Sequence, residues 1–185
     1  MEIVVGISGA SGVQYGIRLL EALKAKGCTT HLIITDSARK IIEIETSSPA
    51  RGVEELATHV YAPKDFSAPV ASGSHLFDAL VVIPCSMGTL SGIACGSSDT
   101  LITRCADVCL KEKRRLILVP RETPLSLIQL RNMVAASEAG AVILPACPAF
   151  YSQPKSLAEL VDVLVGRVLD LLGLDNDLYN RWEGS

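Results

Sequence analysis

Apolar residues follow two rhythms along this chain. Short β-branched runs bounded by turn residues recur at Ile3–Ile7, Thr30–Ile34, His59–Tyr61, Ala79–Pro84, Leu116–Val119 and Ala141–Leu144, and each reads as a strand. Between most of them the apolar positions have helical spacing. Val13, Ile17, Leu19, Leu20 and Leu23 make one stripe, with Arg18 and Glu21 on the other face and Lys24 at its end, able to snorkel its ammonium outward. Leu127, Leu130 and Val134 make another, opposite Asn132. Leu157, Leu160, Val161, Leu164, Val168 and Leu171 make the last and longest. Strands that alternate with helices predict parallel strands joined by right-handed crossovers. The expected fold is a doubly wound, three-layer, Rossmann-like α/β architecture with a mostly parallel six-stranded sheet. Ligands of such sheets bind beyond the carboxyl ends of the strands, near the reversal of strand order.

Composition narrows this picture. With 185 residues, 49% of them hydrophobic and 20% charged, the chain reads as a single globular domain over 1–185 and not as a disordered one. Aromatics are only 4%, so the core must be aliphatic, as suits a buried parallel sheet. A net charge of −3 and a pI near 5.6 leave no global positive field for nucleic acid. No apolar run reaches about 18 residues, which argues against a membrane span. The strand-like opening at Glu2–Gly6 shows no export signal, so a cytoplasmic location is expected. Cys28, Cys85, Cys95, Cys105, Cys109 and Cys147 form no C-x-x-C pair and read as reduced thiols; the three histidines lack zinc-finger spacing to them, and no metal site is expected. Residues 173–185 read as a polar C-terminal arm that carries the only tryptophan, Trp182, either docked on a neighbour or site or simply anchoring the terminus.

Seven segments could carry chemistry, and each has a plainer reading. Gly6-Ile7-Ser8-Gly9-Ala10-Ser11-Gly12 lacks the G-x-G-x-x-G and P-loop patterns, but its glycines, free amides and hydroxyls suit an anion; otherwise it is a strand–helix turn with a serine cap. After the second strand, Thr35 precedes Asp36-Ser37, which can cap a helix ending near Glu45-Thr46. Pro69–Ser74 is either a phosphate-wrapping loop or a flexible connector. Pro84–Gly92 reads as a loop at the strand-order reversal, where Ser86 and Thr89 could bond a flat ligand's polar edge and Met87 and Gly88 could let a ring lie close. Cys85 has no histidine near it in sequence to activate it as a nucleophile. Arg104, Asp107 and Lys111 share one helix face, as a surface ion-pair stripe or as an anion clamp. Arg121 and Glu122 emerge at a strand's carboxyl end, where an arginine can grip phosphate or a carbonyl edge, or form a structural ion pair. Pro148–Pro154, with Tyr151, precedes the final helix and its Arg167; the pair could hold a phosphate, or the tyrosine could simply pack.

Taken together, these segments resemble the UbiX-type flavin prenyltransferases, formerly labelled 3-polyprenyl-4-hydroxybenzoate or phenylacrylic acid decarboxylases. The resemblance spans nearly the whole chain. It rests on Gly-Ile-Ser-Gly-Ala-Ser-Gly (6–12), Ile-Glu-Thr (44–46), Ala-Ser-Gly-Ser (71–74), Ile-Pro-Cys-Ser-Met-Gly-Thr-Leu (83–90), Arg-Cys-Ala-Asp-Val-Cys-Leu-Lys-Glu (104–112), Leu-Val-Pro-Arg-Glu-Thr-Pro-Leu-Ser (118–126) and Pro-Ala-Phe-Tyr (148–151), in that order.

The resemblance implies a flavoprotein fold that binds reduced FMN and dimethylallyl monophosphate and builds a fourth ring between N5 and C6 of the flavin, without a metal. Prenylated FMN would then serve UbiD-type decarboxylases. It implies a homo-oligomer, a dodecamer, with the site where subunits meet. FMN is expected to touch Gly9, Ala10, Ser11, Thr35, Ser86, Met87, Gly88, Thr89 and Arg121. Ser11 and Glu45 would relay a proton near N5, and Glu122 would serve the proton and leaving-group chemistry at C6. Arg104, Lys111, Tyr151, Arg167 and the Ser72-Gly73 loop would neutralise the departing phosphate, with Tyr151 and Arg167 coming from an adjoining subunit. Trp182 or the flavin would face the allylic cation. One rival is an FMN-dependent cysteine decarboxylase, but those enzymes carry Pro-x-Met-Asn where this chain has Pro-Cys-Ser-Met-Gly. Another is a flavin-carrying subunit without catalysis, against which stands a cation set large enough for two phosphates.

Overall fold

A computed structural model describes residues 1–46, 49–182 and 184. Six strands form one sheet: β1 (Glu2–Ile7), β2 (Thr29–Ile34), β3 (His59–Tyr61), β4 (Ala79–Cys85), β5 (Arg115–Pro120) and β6 (Val142–Ile143). Every neighbouring pair is parallel and the order is β3-β2-β1-β4-β5-β6, so the direction of winding reverses between β1 and β4. Parallel strands require crossovers. These are helices α1 (Val13–Ala25), α2 (Asp36–Glu45), α3 (Ala50–Glu54), α4 (Met87–Ala94), α5 (Leu101–Glu112) and α6 (Leu127–Glu138), followed by α7 (Leu157–Leu172).

Alternation along the strands sends successive side chains to two separate cores. Ile3, Val5, Ile7, Val81 and Val119 pack under α1, α2 and α7, while Val4, Leu80, Val82 and Leu118 pack under α4, α5 and α6. The alternation leaves Gly6 facing α5, where an added Cβ would stand 3.2 Å from Ile102. The α1 stripe is buried at Val13, Leu19, Leu20 and Leu23. Lys24 reaches past it to the Glu55 carbonyl, 3.1 Å away. Arg18 is not on a free face: its Nε lies 2.6 Å from Asp162 of α7 and ties the two helices together.

Three expectations change. The segment expected as a loop from Pro84 to Gly92 is helical from Met87 onward, with Ser86 as its cap. The last strand shrinks from four expected residues to Val142–Ile143. The Leu127/Leu130/Val134 stripe of α6 is exposed, together with Ile128, so no described residue of this chain covers it. The C-terminal arm is anchored on the domain: Leu174 and Leu178 pack on the first core, and Asn176, Tyr179 and Arg181 all bond Asp170 of α7. Residues 183 and 185 of that arm lie outside the described residues.

Candidate functional site

The carboxyl edge at the β1/β4 reversal is assembled by side chains that bond across it. Ser8, fully buried, donates from Oγ to the Pro84 carbonyl at 3.0 Å and accepts from the Ser86 N–H at 2.7 Å. Ser86 in turn accepts from the Thr89 N–H and caps α4. The expected cap of α2 moves one residue earlier, because Thr35 Oγ1, not Asp36 or Ser37, accepts from Ala38 N–H at 3.2 Å. The Thr35 N–H also bonds the Ile7 carbonyl. Gly9 lies so close to α2 that a Cβ there would meet Ser37 Cβ at 2.6 Å, which only glycine tolerates. Gly88, by contrast, has open space where its side chain would be.

The start of α1 is already occupied. Gly12, at φ 99°, is its N-terminal residue, and no serine caps it. Glu45 Oε2 instead accepts from the Gly12 and Val13 N–H groups at 2.9 and 3.2 Å. A carboxylate thus neutralises the positive end of this helix, so an anion binds there only by displacing it. The anion-favouring ends left on this edge are those of α2 and α4. Arg121 Nε donates to the Ser11 carbonyl at 3.0 Å, fixing the loop between β1 and α1 from the end of β5. Arg121 and Glu122 line a cleft of about 290 Å³ with Met133, Pro145 and Cys147. Ser11, Gly12, Tyr15 and Glu45 line another of about 210 Å³ against Leu157 and Val161 of α7. Tyr15 was not singled out by its sequence context. Burial first, then the neighbouring Cys147, pushes its pKa up, against the pull of Arg121. These groups fit a flavin: a crevice at the strand reversal, two helix N-termini for a phosphate, open space at Gly88, and the serine and threonine hydroxyls of the α4 cap.

A second cluster lies along α5. Residues 63–78 run beside that helix, from Pro63, which accepts from the Leu101 N–H, to His75, whose carbonyl accepts from Arg114. Within this strap Arg104 Nε donates to the Ala71 carbonyl at 3.0 Å and its Nη1 meets Asp107 at 2.8 Å. Lys111 Nζ lies 2.5 Å from Glu112 Oε1, and this bond holds the Glu112 pKa below its ordinary value. A Cβ on Gly73 would stand 2.7 Å from Lys111 Nζ, so the Ser72-Gly73 loop passes directly over that ammonium. The contacts present are those of the ion-pair stripe, with a loop backbone laid across it. It sits toward the amino edge of the sheet, since α5 ends just before β5 begins.

The third cluster joins the loop before α7 to the returning arm. Tyr151 and Trp182 meet edge to face, 5.8 Å between ring centres. Arg167 Nη1 lies 3.4 Å from the Tyr179 hydroxyl and 3.2 Å from Asp170, and the bond to Tyr179 leads the causes that raise its pKa. Burial opposes the charge on Asp170, but its bonds from Arg181, Tyr179 and Asn176 outweigh that and hold its pKa down. Among the described residues no hydrogen bond or ion pair joins these three clusters to one another. Cys85 is fully buried, and burial pushes its thiol up to about 12. His31 and His75 both meet Glu2 at the amino edge, and His59 stacks on His31.

Residues 1–169 match the Flavoprotein family. A flavin prenyltransferase UbiX of Thermoplasma acidophilum is 54% identical over 182 residues, 98% of this chain and 100% of the relative. A solved structure of AnUbiX (PadA1) in complex with FMN and dimethylallyl pyrophosphate superposes with a TM-score of 0.98 at 48% identity, covering 100% of this chain and 98% of that one. The dodecameric FMN-dependent UbiX-like decarboxylase from Escherichia coli O157:H7 superposes at 0.97 with 46% identity and full coverage of both chains. The strand order, the reversal crevice and similarity along almost the whole length lead to one assignment: the chain belongs to the flavoprotein family, among the flavin prenyltransferases of UbiX type.

Proposed function

We propose that this chain transfers a dimethylallyl group from dimethylallyl monophosphate to N5 and C6 of reduced FMN, in the cytoplasm and without a metal, and that the prenylated FMN serves UbiD-type decarboxylases. The observation that carries this reading is the pairing of the crevice at the strand reversal, with Glu45 in one cleft beside it and Glu122 in another, with cationic clusters on other faces of the same chain. A binding protein needs only the crevice.

Bound there, the reduced flavin supplies the nucleophilic N5 and C6. Gly9, Ala10, Ser11, Thr35, Ser86, Met87, Gly88, Thr89 and Arg121 hold it, and Arg121 also fixes the Ser11 backbone. The carbon–oxygen bond of the donor breaks with its electron pair on phosphate. Attaching the five-carbon chain replaces one hydrogen at N5 and one at C6: one proton ends on the former alkene, the other on phosphate. Ser11 and Glu45 handle the proton at N5, and Glu122 the proton at C6. Lys111, Arg104, the Ser72-Gly73 loop, Tyr151 and Arg167 gather the charge of the leaving phosphate, each 1.36 kcal/mol of such stabilisation being worth about tenfold in rate. Trp182 offers a ring face to the allylic cation.

The clusters are separate in one chain, so they meet between copies. The crevice comes from one subunit and the phosphate cations from its neighbours, in a homo-oligomer of dodecameric form whose contacts bury the exposed face of α6.

The test is anaerobic incubation of the protein with reduced FMN, dimethylallyl monophosphate and a chelator, followed by mass spectrometry of the extracted flavin. One added C5 unit is expected; unmodified flavin from well-folded, flavin-loaded protein refutes transferase activity and leaves a carrier. Glu122→Gln should keep FMN and make no product. Lys111→Ala should weaken the prenyl phosphate far more than FMN in calorimetry, and equal weakening contradicts the two-pocket assignment.

A further inference from the structure

We propose that Glu2, His31 and His75 bind one divalent metal ion of zinc type at the amino edge of the sheet, at the opposite edge from the flavin crevice. Three segments distant in sequence build it: Glu2 opens β1, His31 lies in β2, and His75 ends the strap beside α5. The register places Val4 beside His31 and His31 beside His59, so Glu2, two residues before Val4, points to the same face as both histidines. His31 Nε2 and His75 Nε2 each approach Glu2 Oε1 to 2.8 Å, and the three ligand atoms all lie within 4.8 Å of one another.

An ordinary hydrogen-bonded cluster accounts for only half of this. His31 is satisfied at both nitrogens, with Tyr61 Oη 3.1 Å from Nδ1 and Glu2 at Nε2. His75 Nε2 is not: it is buried and its approach to the carboxylate is misaligned, so it makes no hydrogen bond. A buried ring nitrogen 2.8 Å from a carboxylate oxygen but turned off the line to it leaves a place beside that line where a cation could take both as ligands.

The donor chemistry is borderline, two imidazoles and a carboxylate, as in zinc sites that keep a fourth position for water. Metal–ligand bonds of about 2.1 Å in a tetrahedron set neighbouring donors about 3.4 Å apart. The two Nε2–Oε1 spacings must therefore open by about 0.6 Å and the ring nitrogens, within 4.8 Å of each other, close toward the same spacing, movements open to Glu2 and His75, whose side chains are about one-third exposed. The second shell is present. Tyr61 orients the His31 ring through Nδ1, and His59 stacks on it at 4.8 Å between centroids.

The test uses the full chain without a histidine tag, stripped by chelator and titrated with Zn²⁺ by calorimetry, and with Co²⁺ by visible absorption. One equivalent per chain is expected, with four-coordinate Co²⁺ bands. His75→Gln and Glu2→Gln, both partly exposed positions, should each weaken binding at least tenfold while circular dichroism stays unchanged. Absence of stoichiometric uptake overturns the proposal. So does uptake equal to wild type in both variants, or uptake lost in a Cys95→Ser/Cys147→Ser chain, which would move the metal to the exposed thiols.

Discussion

Replacing Ser8 by alanine removes one hydroxyl that spans the crevice. That oxygen accepts the Ser86 N–H at 2.7 Å and donates to the Pro84 carbonyl at 3.0 Å, inside a fully buried side chain. The Pro84 carbonyl keeps the Ser8 backbone N–H at 3.2 Å, so only the Ser86 N–H loses its partner. Leaving such a donor unmet costs about 1–3 kcal/mol. For a chain of this size each kcal/mol lowers Tm by about 2–4 °C, so S8A should melt roughly 2–12 °C lower. Because Ser86 also caps α4 beside the crevice, FMN affinity should fall about tenfold, equivalent to about 1.4 kcal/mol. Scanning fluorimetry at one fixed protein concentration, with and without FMN, reads both effects. A Tm within 1 °C of wild type together with unchanged FMN affinity would show that the β1–β4 tie does not hold this edge, and the account of the crevice given above would fail with it.

Other consequences are equally direct. Glu45→Gln keeps an acceptor for the Gly12 and Val13 N–H groups but removes the charge at the start of α1; the melt should drop by no more than about 1 kcal/mol while prenylation is lost, and normal turnover would refute the proton role. Cys85, Cys105 and Cys109 have thiols raised by burial to about 12 against an unfolded value near 9, so they favour folding below pH 9 and that advantage erodes as pH climbs toward 12. At pH 10 the loss is about 1.4 kcal/mol per thiol, and urea midpoints that do not fall between pH 8 and 10 contradict it. Asp170, whose pKa is held down, supports the arm above its unfolded value and releases it as pH falls through the folded one; Asp170→Asn should expose residues 174–182 to limited proteolysis at neutral pH, and an unchanged cleavage pattern would count against the anchoring.

Much of this fold was legible because period and punctuation agree. The β-branched runs gave all six strands, and Thr35–Ser37 and Glu45-Thr46 bracketed α2 to within a residue. What stayed hidden was tertiary. Met87–Ala94 contains Gly88, Ser91 and Gly92 and looks like a loop; its helix survives because Leu90 and Ile93 are buried under the sheet. No spacing rule brings Glu45 back to α1, or gathers His31 and His75 on Glu2, because those contacts come from the crossovers. The stripe on α6 was legible as a helix face, but nothing in its spacing shows that no described residue of this chain covers it. The candidate residues could be picked out one by one, while their partition into three clusters could not, since chain order says little about which edge of a sheet a helix end reaches.

In the proposed assembly, that partition would make damage complementable. Two inactive alleles, one broken at Glu45 and one at Lys111, should rescue each other when co-expressed, because a crevice from the second can face a cation cluster from the first. With random mixing in equal amounts, about a quarter of the composite sites pair two undamaged halves. A heterozygous cell would then retain partial turnover from two null genes, an inheritance pattern that a site confined to a single chain could not produce.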